Sequence, residues 1–355
     1  FPWQIKLFQD WFSKGKFPTT CDLPTGLGKT SVAAAWLVAL AIHPERVPRR
    51  LVYVVNRRTV VDQTTNEVKK YRDALRLDLR LRDIHNRLAQ LCTFPLVEDD
   101  ECRQSPLALS TLRGQFADNR EWSADPARPA VIVGTVDMIG SRLLFNGYGV
   151  GFKGTPLHAG FLGQDVLLVH DEAHLEPAFQ TLLRRIEQEQ IFGERTEKCD
   201  WPRLRVMALS ATSRSGDDCK QVMPFGLQPE EVNIPDNISE KPEKPIEHVW
   251  ARLKAKKGIL FHAVARTEVA SKIGTLARDR WKDSGRAILV FVRTVKEVKT
   301  LERILTDTKK GVSKDHVCVL TGTMRGRERD VLATAHKVFA RFLPDPKIVP
   351  QQGTV

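Results

Sequence analysis

Two sequence features that would assign this chain to a familiar class are missing. Its six cysteines form no Cys-x-x-Cys pair, which argues against a disulfide framework or a zinc site and favours a reducing cytoplasm. Its longest apolar run, Val32–Ile42, has eleven residues and is too short to span a bilayer, and no cleavable signal pattern opens the chain. The sequence therefore predicts a cytoplasmic protein with no membrane partner.

The composition is that of a globular protein with an excess of positive charge. Apolar residues make up 42% of the chain and charged residues 28%, which excludes a disordered or collagen-like chain. A length of 355 residues predicts two domains or three. The formal net charge is +12, from 55 Lys and Arg against 43 Asp and Glu. This excess favours a polyanionic partner, most simply a nucleic acid, and mere solubility is the alternative.

Short apolar runs alternate with helical stretches along the first part of the chain. This pattern predicts βαβ units and a parallel sheet, and so an α/β fold class. The predicted strands are Thr19–Leu23, Leu51–Val55, Leu107–Leu112, Ala130–Gly134, Val166–His170 and Arg205–Leu209. The predicted helices are Lys29–Ile42, Val60–Tyr71 and Phe179–Gln190. Residues 73–128 exceed the length of one crossover, so we expect an insertion there, with an exposed acidic turn at Asp99–Glu101.

The segment from Gln228 to His248 is rich in proline and charge and predicts a linker. We therefore expect a first domain at 1–235, a linker at 236–247 and a second domain at 248–355. The second domain has predicted strands at Ala287–Val292 and Val317–Leu320, and predicted helices at Ala263–Trp281, Val295–Leu305 and Arg327–Phe342. Two strands are too few for a complete α/β domain. We expect the chain to be a fragment in which the second domain is incomplete.

The sequence from Leu23 to Thr30, LPTGLGKT, predicts a phosphate-binding loop because it follows a strand and opens a helix. Gly26 and Gly28 let backbone N–H groups close around the phosphates, and the helix N-terminus adds its dipole. Lys29 reaches the β- and γ-phosphates, and the Thr30 hydroxyl can ligate Mg²⁺. The predicted ATP-binding residues of this loop are Thr25, Gly26, Leu27, Gly28, Lys29 and Thr30.

A second motif follows the apolar run Val166–Val169, where the sequence continues His-Asp-Glu-Ala-His. Carboxylates at the carboxyl end of a buried strand face the ligand crevice of a parallel sheet. Asp171 can hold Mg²⁺, and Glu172 can orient and deprotonate the attacking water, so both are predicted to be catalytic together with Lys29. A metal nuclease built on His170 and Asp171 is the alternative, but the other ligands of such a site have no evident candidates.

The tripeptide Ser210-Ala211-Thr212 ends another predicted strand. Alone it would indicate no function, but it follows the two other motifs in order and, like them, lies at a strand end. The three motifs, in this order, resemble motifs I, II and III of a superfamily 2 helicase of the Asp-Glu-Ala-His type. The resemblance implies two RecA-like lobes in tandem. It also implies that Gln4 reads the adenine, although an ordinary polar residue is the alternative. His174, Ser210 and Thr212 would couple the state of the nucleotide to the nucleic acid.

The same resemblance assigns weaker motifs to the loops that contact the nucleic-acid backbone. They lie at 56–59, 113–115 and 134–137 in the first lobe, and at 290–294 and 320–329 in the second. The residues implied to bind DNA are Arg57, Arg58, Arg113, Thr135, Arg293, Thr321 and Arg325. A solvated loop is the alternative for the motifs of the first lobe.

A narrower resemblance rests on Thr135–Phe145 and on His158–Gly163, which leads into the second motif. These segments resemble the helicase part of the helicase–nuclease of type I CRISPR systems, most of all the type I-G (formerly I-U) branch. The resemblance implies a monomer that uses ATP and Mg²⁺ and moves 3′→5′ on single-stranded DNA. It also implies an RNA-guided CRISPR surveillance complex as partner and a nuclease domain outside this chain. An RNA helicase, a restriction-type DNA translocase and a non-catalytic, ATP-gated docking module stay open as alternatives.

Such helicases carry two further motifs in the second lobe, and the last supplies arginines that stabilise the transferring phosphoryl group. We find neither motif before Val355. The residues present are therefore expected to bind ATP and to hydrolyse it efficiently only together with the rest of that lobe.

Overall fold

The computed structural model describes residues 1–97, 104–112, 120–197, 202–210, 223–232, 244–256, 258–307, 311–322, 324, 328, 331–332 and 335–342. The chain divides into two compact units, Phe1–Lys256 and Lys257–Val355. The division lies after the helix Lys244–Lys254, whose first turn overlaps the predicted linker at 236–247. This helix belongs to the first unit because the indole Nε1 of Trp250 donates a hydrogen bond to the backbone oxygen of Glu231, at 3.1 Å.

The first unit is built on a sheet of seven parallel strands. These are β1 (Thr20–Asp22), β2 (Arg50–Val55), β3 (Ala108–Leu112), β4 (Ala130–Thr135), β5 (Val166–Asp171), β6 (Leu204–Ser210) and β7 (Pro224–Gly226). Their order in the sheet is β3-β4-β2-β5-β6-β1-β7, and every neighbouring pair is parallel. The predicted α/β fold class is confirmed, and the unit has the architecture of a RecA-like lobe. Strand β7 was not predicted, because two of its three residues are proline and glycine, which are depleted in strands.

Ten helices of the first unit lie in its described residues. They are α1 (Pro2–Asp10), α2 (Val32–Ile42), α3 (Arg58–Leu77), α4 (Arg82–Ala89), α5 (Glu121–Ala124), α6 (Val136–Leu143), α7 (Thr155–Gly163), α8 (Pro177–Glu197), α9 (Pro229–Val232) and α10 (Lys244–Lys254). Part of the predicted insertion at 73–128 is occupied by the end of α3 and by α4, which packs against α2. Its acidic turn at 99–101 lies outside the described residues. None of the described helices is long and apolar enough to cross a membrane.

The two faces of the sheet bury separate apolar cores, because successive side chains of a strand point to opposite faces. On one face, Leu51 and Tyr53 of β2 join a cluster with Trp3 of α1 and Trp36 of α2. On the other face, Val52 joins a cluster that contains residues of α5 to α8. Covered on both faces, the strands read in the sequence as continuous apolar runs.

The second unit contains the helices α11 (Val269–Ser284) and α12 (Val295–Leu305), and a short helix at Lys337–Ala340. Helices α11 and α12 pack closely, since a Cβ atom added at Gly274 would lie 3.0 Å from Cγ2 of Ile304. The expected helix Arg327–Phe342 lies only in part within the described residues.

The strands expected at Ala287–Val292 and Val317–Leu320 are not formed, and no strand occurs among the described residues of the second unit. Leu289 and Phe291 are 60% and 81% exposed. An apolar run becomes a strand only where a neighbouring strand accepts and donates its backbone hydrogen bonds. The described part of this unit supplies no such neighbour.

Candidate nucleotide-binding site

The parallel sheet brings the three strongest sequence motifs to one edge. All strands run in the same direction, so the segments that follow them emerge together at the carboxyl edge. Strand β6 lies between β5 and β1, with Leu209 paired to Asp171 and Ser210 paired to Asp22. The phosphate-binding loop after β1, the Asp-Glu pair at the end of β5 and Ser210 at the end of β6 are therefore neighbours.

The conformation of the phosphate-binding loop explains its two glycines. Gly26 and Gly28 have φ angles of 85° and 70°, in the left-handed region where a Cβ atom is unfavourable. Thr25, Gly26 and Gly28 are exposed, whereas Leu27 is buried. The helix predicted from Lys29 begins as a 3₁₀ turn at Lys29–Ser31 and becomes α2 at Val32.

Helix α1 supports this loop through two hydrogen bonds, and a third hydrogen bond lies within the loop segment itself. The indole Nε1 of Trp3 donates to the backbone oxygen of Leu27 at 3.2 Å. The Gln4 Nε2 atom donates to Ser31 Oγ at 2.7 Å, and Ser31 Oγ donates to the backbone oxygen of Gly28 at 2.8 Å. Gln4, which the resemblance assigned to reading the adenine, thus lies against the phosphate-binding loop. Trp3 and Ser31 were not predicted, and their only signal in the sequence is that they stand next to Gln4 and Thr30.

Lys29 and Glu172 form an ion pair across the site. Lys29 Nζ lies 3.2 Å from Glu172 Oε1, and Lys29 is only 8% exposed. Glu172 has a left-handed backbone (φ 51°), which costs a residue other than glycine about 1–2 kcal/mol. Its backbone N–H donates to Asp171 Oδ1 at 3.0 Å, which helps to hold this conformation. Backbone strain is thus stored at the carboxylate that the sequence assigned to catalysis.

A buried tyrosine contacts one of the residues expected to hold Mg²⁺. The Tyr53 hydroxyl donates a hydrogen bond to Asp171 Oδ2 at 3.1 Å. Burial raises the pKa of Tyr53 well above its usual value, and the charge of Asp171 raises it further. Tyr53 was not predicted, and its only signal was a hydroxyl in the apolar run Leu51–Val55.

Burial also raises the pKa of Asp171, while the positive charge of Lys29 opposes this rise and the charge of Glu172 adds to it. Asp171, at the end of β5, and Thr30, in the turn that follows the phosphate-binding loop, both lie at the carboxyl edge of the sheet. Two hard oxygen donors at the end of a phosphate-binding loop suit Mg²⁺, which prefers one or two protein oxygens together with substrate phosphates. The residues present therefore fit the predicted ion.

His174 connects the Asp-Glu pair to the end of β6. Its Nδ1 atom lies 3.5 Å from Glu172 Oε2 and 3.2 Å from Ser210 Oγ. Two of the three residues predicted to couple the nucleotide to the nucleic acid therefore touch each other, and one of them touches the predicted general base. Thr212, the third, lies outside the described residues.

His170 points away from Asp171 because consecutive residues of a strand face opposite sides of the sheet. It is fully buried, its Nδ1 atom lies 2.8 Å from Gln180 Oε1, and its ring packs edge-on against Phe179. Burial lowers the pKa of His170. Among the described residues, no group of three or more His, Cys, Asp or Glu side chains is arranged to hold a metal ion.

The residues predicted to bind DNA are dispersed. Arg57 is exposed at the N-cap of α3, directly after β2. Thr135, expected in an open loop, is instead buried, and its hydroxyl caps α6 by accepting a hydrogen bond from the N–H of Met138 at 3.4 Å. Arg293, which is exposed, and Thr321 belong to the second unit. The Arg58 side chain, Arg113 and Arg325 lie outside the described residues.

Several solved structures resemble this chain. The DUF1998 helicase MrfA bound to DNA and AMPPNP is 13% identical with a TM-score of 0.51, over 94% of this chain and 39% of MrfA. The helicase domain of Pyrococcus furiosus Hef is 18% identical with a TM-score of 0.34, over 83% of this chain and 51% of Hef. The Mycobacterium smegmatis helicase Lhr bound to ssDNA and AMP-PNP is 17% identical with a TM-score of 0.39, over 85% of this chain and 38% of Lhr.

The likeness to MrfA shows a shared fold, and this chain spans about two fifths of the length of that structure. No curated protein matches the sequence. A protein family described as type III restriction enzyme, res subunit, matches residues 1–214, which is more than half of the 355 residues and includes all three motifs. The chain belongs to this family of type III restriction enzyme res subunits.

Proposed function

We propose that this chain is the motor part of an ATP-dependent helicase or translocase that moves 3′→5′ on single-stranded DNA. The observation that carries the proposal is the Lys29–Glu172 ion pair, which joins the phosphate-binding loop to the predicted general base. The Lys29 ammonium group is paired with a carboxylate, and it can exchange this carboxylate for a phosphate of ATP. No other part of the described structure combines a phosphate-binding loop with catalytic groups.

The chemistry proposed for the site starts with that exchange. Lys29 leaves Glu172 for the β- and γ-phosphates of ATP, and the loop N–H groups after Gly26 bind the remaining phosphate oxygens. Glu172, released from Lys29, orients a water molecule and accepts its proton as the water attacks the γ-phosphorus, while the bond to the bridging oxygen breaks and ADP leaves. Thr30 and Asp171 would hold Mg²⁺, which supplies neutralising charge to the phosphates.

His174 connects the nucleotide site to the end of strand β6. When Glu172 changes partner, the contact of its Oε2 with His174 changes as well, and His174 also contacts Ser210 at the end of β6. Binding or hydrolysis of the nucleotide would therefore change the contacts of the segment that follows β6. Such a link is what a motor needs to couple hydrolysis to movement.

Three observations support DNA as the track. The chain carries a net charge of +12. Strands β3, β4 and β2 continue the carboxyl edge beside the nucleotide site, and Arg57 is exposed there. The structurally similar MrfA was solved bound to DNA and AMPPNP. Contacts to the phosphate backbone alone would give binding without sequence preference.

We further propose that the protein acts in CRISPR interference, on the basis of the sequence resemblance at 135–145 and 158–163. This role includes a monomeric cytoplasmic protein, recruitment by an RNA-guided surveillance complex and a nuclease outside this chain. A restriction-type DNA translocase is a second candidate, favoured by the family match over residues 1–214. Purification of the full-length protein with its natural partners separates the two, since a guide RNA would accompany only the first.

The central test is Glu172→Gln in the full-length protein, with the exposed Glu189→Gln on α8 as matched control. We expect Glu172→Gln to retain ATP affinity and to slow single-turnover hydrolysis about 10²–10⁴-fold, because an amide cannot accept the proton of the water. Wild-type hydrolysis by this variant would exclude Glu172 as the base. Single-stranded DNA should stimulate the wild-type protein more than RNA of the same sequence, and equal or greater stimulation by RNA would favour an RNA helicase.

A further inference from the structure

Glu231 is a buried carboxylate that lies outside all the motifs of the sequence analysis. It belongs to α9, which follows β7, and it is only 2% exposed. Its Oε1 atom accepts a hydrogen bond from the backbone N–H of Trp3 at 3.1 Å, and its Oε2 atom accepts one from the backbone N–H of Gln228 at 3.0 Å. Glu231 and Trp3 are 228 residues apart, so this carboxylate joins the first helix of the first unit to one of its last elements.

The N–H group that Glu231 binds lies in the first turn of α1, where Trp3 is the second residue. Backbone N–H groups of a first turn have no acceptor within their own helix. Glu231 supplies an acceptor from a distant part of the chain, and its negative charge lies at the positive end of the helix dipole. The carboxylate therefore fixes the start of α1.

The start of α1 in turn contacts the phosphate-binding loop. Trp3, whose backbone N–H binds Glu231, donates through its indole Nε1 to the backbone oxygen of Leu27 at 3.2 Å. Gln4, the next residue, donates to Ser31 Oγ at 2.7 Å. Trp3 is fully buried, and in a close-packed core a shift of its backbone would move the indole as well. The position of the loop at Leu27 therefore depends on the position of Glu231.

Glu231 is held through its backbone as well as through its side chain. Its backbone oxygen accepts a hydrogen bond from the indole Nε1 of Trp250 on α10, at 3.1 Å. Strand β7, which precedes α9, pairs with β1, with Phe225 opposite Cys21, and β1 leads directly into the phosphate-binding loop. Glu231 is thus tied both to α10 and to the sheet, which makes it a fixed support for α1.

We propose that Glu231 is a positioning residue for nucleotide binding, which holds the start of α1 and, through Trp3, keeps Leu27 of the phosphate-binding loop in the conformation that accepts ATP. A loop that is ordered before its ligand arrives loses less entropy on binding. Glu231 therefore contributes to the affinity for the nucleotide, whereas the chemical step belongs to Lys29 and Glu172. This inference rests on the ATP site proposed above and adds to it a residue from the other end of the first unit.

Glu231→Gln in the full-length protein tests this role, because it keeps the shape of the side chain and replaces one of its two acceptors by a donor. The backbone N–H of either Trp3 or Gln228 then loses its acceptor. We expect the Kd for AMPPNP with Mg²⁺, measured by titration calorimetry, to rise about 10-fold, the value of one hydrogen bond to a charged group. The single-turnover rate at saturating ATP should stay within about 2-fold of the wild type, because the lost interaction serves binding alone.

A double-mutant cycle tests the route through Trp3. Trp3→Phe removes the indole N–H that binds Leu27 but keeps the backbone N–H that binds Glu231. If Glu231 acts through Trp3, the variant with both changes should bind AMPPNP about as weakly as the weaker of the two single variants. Losses that simply add would mean that the two residues act independently, and would overturn the proposal.

Asp125→Asn is the matched control for a general loss of stability. Asp125 is 6% exposed, and it also accepts hydrogen bonds from backbone N–H groups, those of Thr93 at 2.8 Å and Ala127 at 3.1 Å. It precedes β4 and so lies toward the amino edge of the sheet, away from the phosphate-binding loop. This variant should melt at a lower temperature than the wild type and bind AMPPNP with wild-type affinity. Equal weakening of AMPPNP binding in Asp125→Asn and Glu231→Gln would overturn the proposal.

Thermal melts show which variants are folded at the temperature of the binding measurement. If Glu231→Gln does not fold, Glu231→Asp takes its place, since it keeps the charge on a side chain one carbon shorter and should weaken AMPPNP binding in the same direction. A folded variant at Glu231 that binds AMPPNP like the wild type, whatever its rate of hydrolysis, would overturn the positioning role and leave the proposed ATP site intact. A wild-type protein that does not bind AMPPNP would overturn both.

Discussion

The two edges of the first unit's sheet are built from the same strands, but their charged side chains have different partners. At the carboxyl edge, Lys29 pairs with Glu172, and Asp171 accepts from Tyr53. At the amino edge, Arg50 is buried against an aromatic ring with two donors unpaired. In a parallel sheet the loops and helix N-termini that bind anions follow the strand ends, so strand direction places the phosphate chemistry on one side only.

The largest effect is expected where the carboxyl edge loses its cation. Lys29→Ala in the full-length protein should reduce ATP turnover by roughly 10²–10³-fold, because no other group of the loop neutralises the developing phosphate charge. Single-turnover hydrolysis and a thermal melt measure this, with the exposed Lys14→Ala as control. Turnover near that of the wild type would show that the loop does not bind the reacting phosphates.

Tyr53→Phe breaks the link beneath the predicted Mg²⁺ site without changing side-chain shape. The loss of a buried hydrogen bond to Asp171 should cost about 1 kcal/mol of the free energy of unfolding. The Mg²⁺ concentration needed for half-maximal hydrolysis should also rise. Denaturant unfolding and Mg²⁺ titration of activity measure the two effects. Tyr148→Phe, at a tyrosine that is 59% exposed, should change neither.

Asp171→Asn should change how the stability of the protein depends on pH. Burial raises the folded-state pKa of Asp171 above the ordinary value of 3.8. The folded protein then binds the proton more tightly than the unfolded chain, so this group's contribution to stability falls as pH rises from about 3.8 to the folded-state pKa. Asp171→Asn should therefore be more stable than the wild type at pH 7, and the difference should shrink as pH is lowered.

Thermal melts across pH measure that difference, with Asp137→Asn at an exposed aspartate as control. A variant less stable than the wild type at pH 7 would mean that the attraction to Lys29 outweighs the cost of burying the carboxylate.

The smallest effect concerns the segment that follows β2 at the carboxyl edge. Arg57→Ala should lower the slope of log affinity for single-stranded DNA against log salt by about 0.7, the value of one lost phosphate contact. Arg87→Ala on α4, which removes a partly exposed arginine paired with Asp83, is the control. An unchanged slope for Arg57→Ala would remove this residue from the proposed DNA path.

The second unit shows where prediction from the sequence alone stops. The helix predicted at Val295–Leu305 has these bounds in the structure, because a capping box between Thr294 and Glu297 defines its start locally. The apolar run Ala287–Val292 satisfies the pattern of a strand equally well but pairs with none of the described residues. A helix contains its own hydrogen-bond partners, whereas a strand depends on another segment.

The sequence by itself was enough to predict the phosphate-binding loop, the carboxylates Asp171 and Glu172 and the α/β class, because each follows from a pattern in neighbouring residues. Only the tertiary structure decided that Tyr53 binds Asp171 and that Trp3 supports the loop at Leu27. Tyr53 and Asp171 are 118 residues apart, and their contact follows from the pairing of β2 with β5. Such contacts depend on the order of strands in the sheet, which no local pattern specifies.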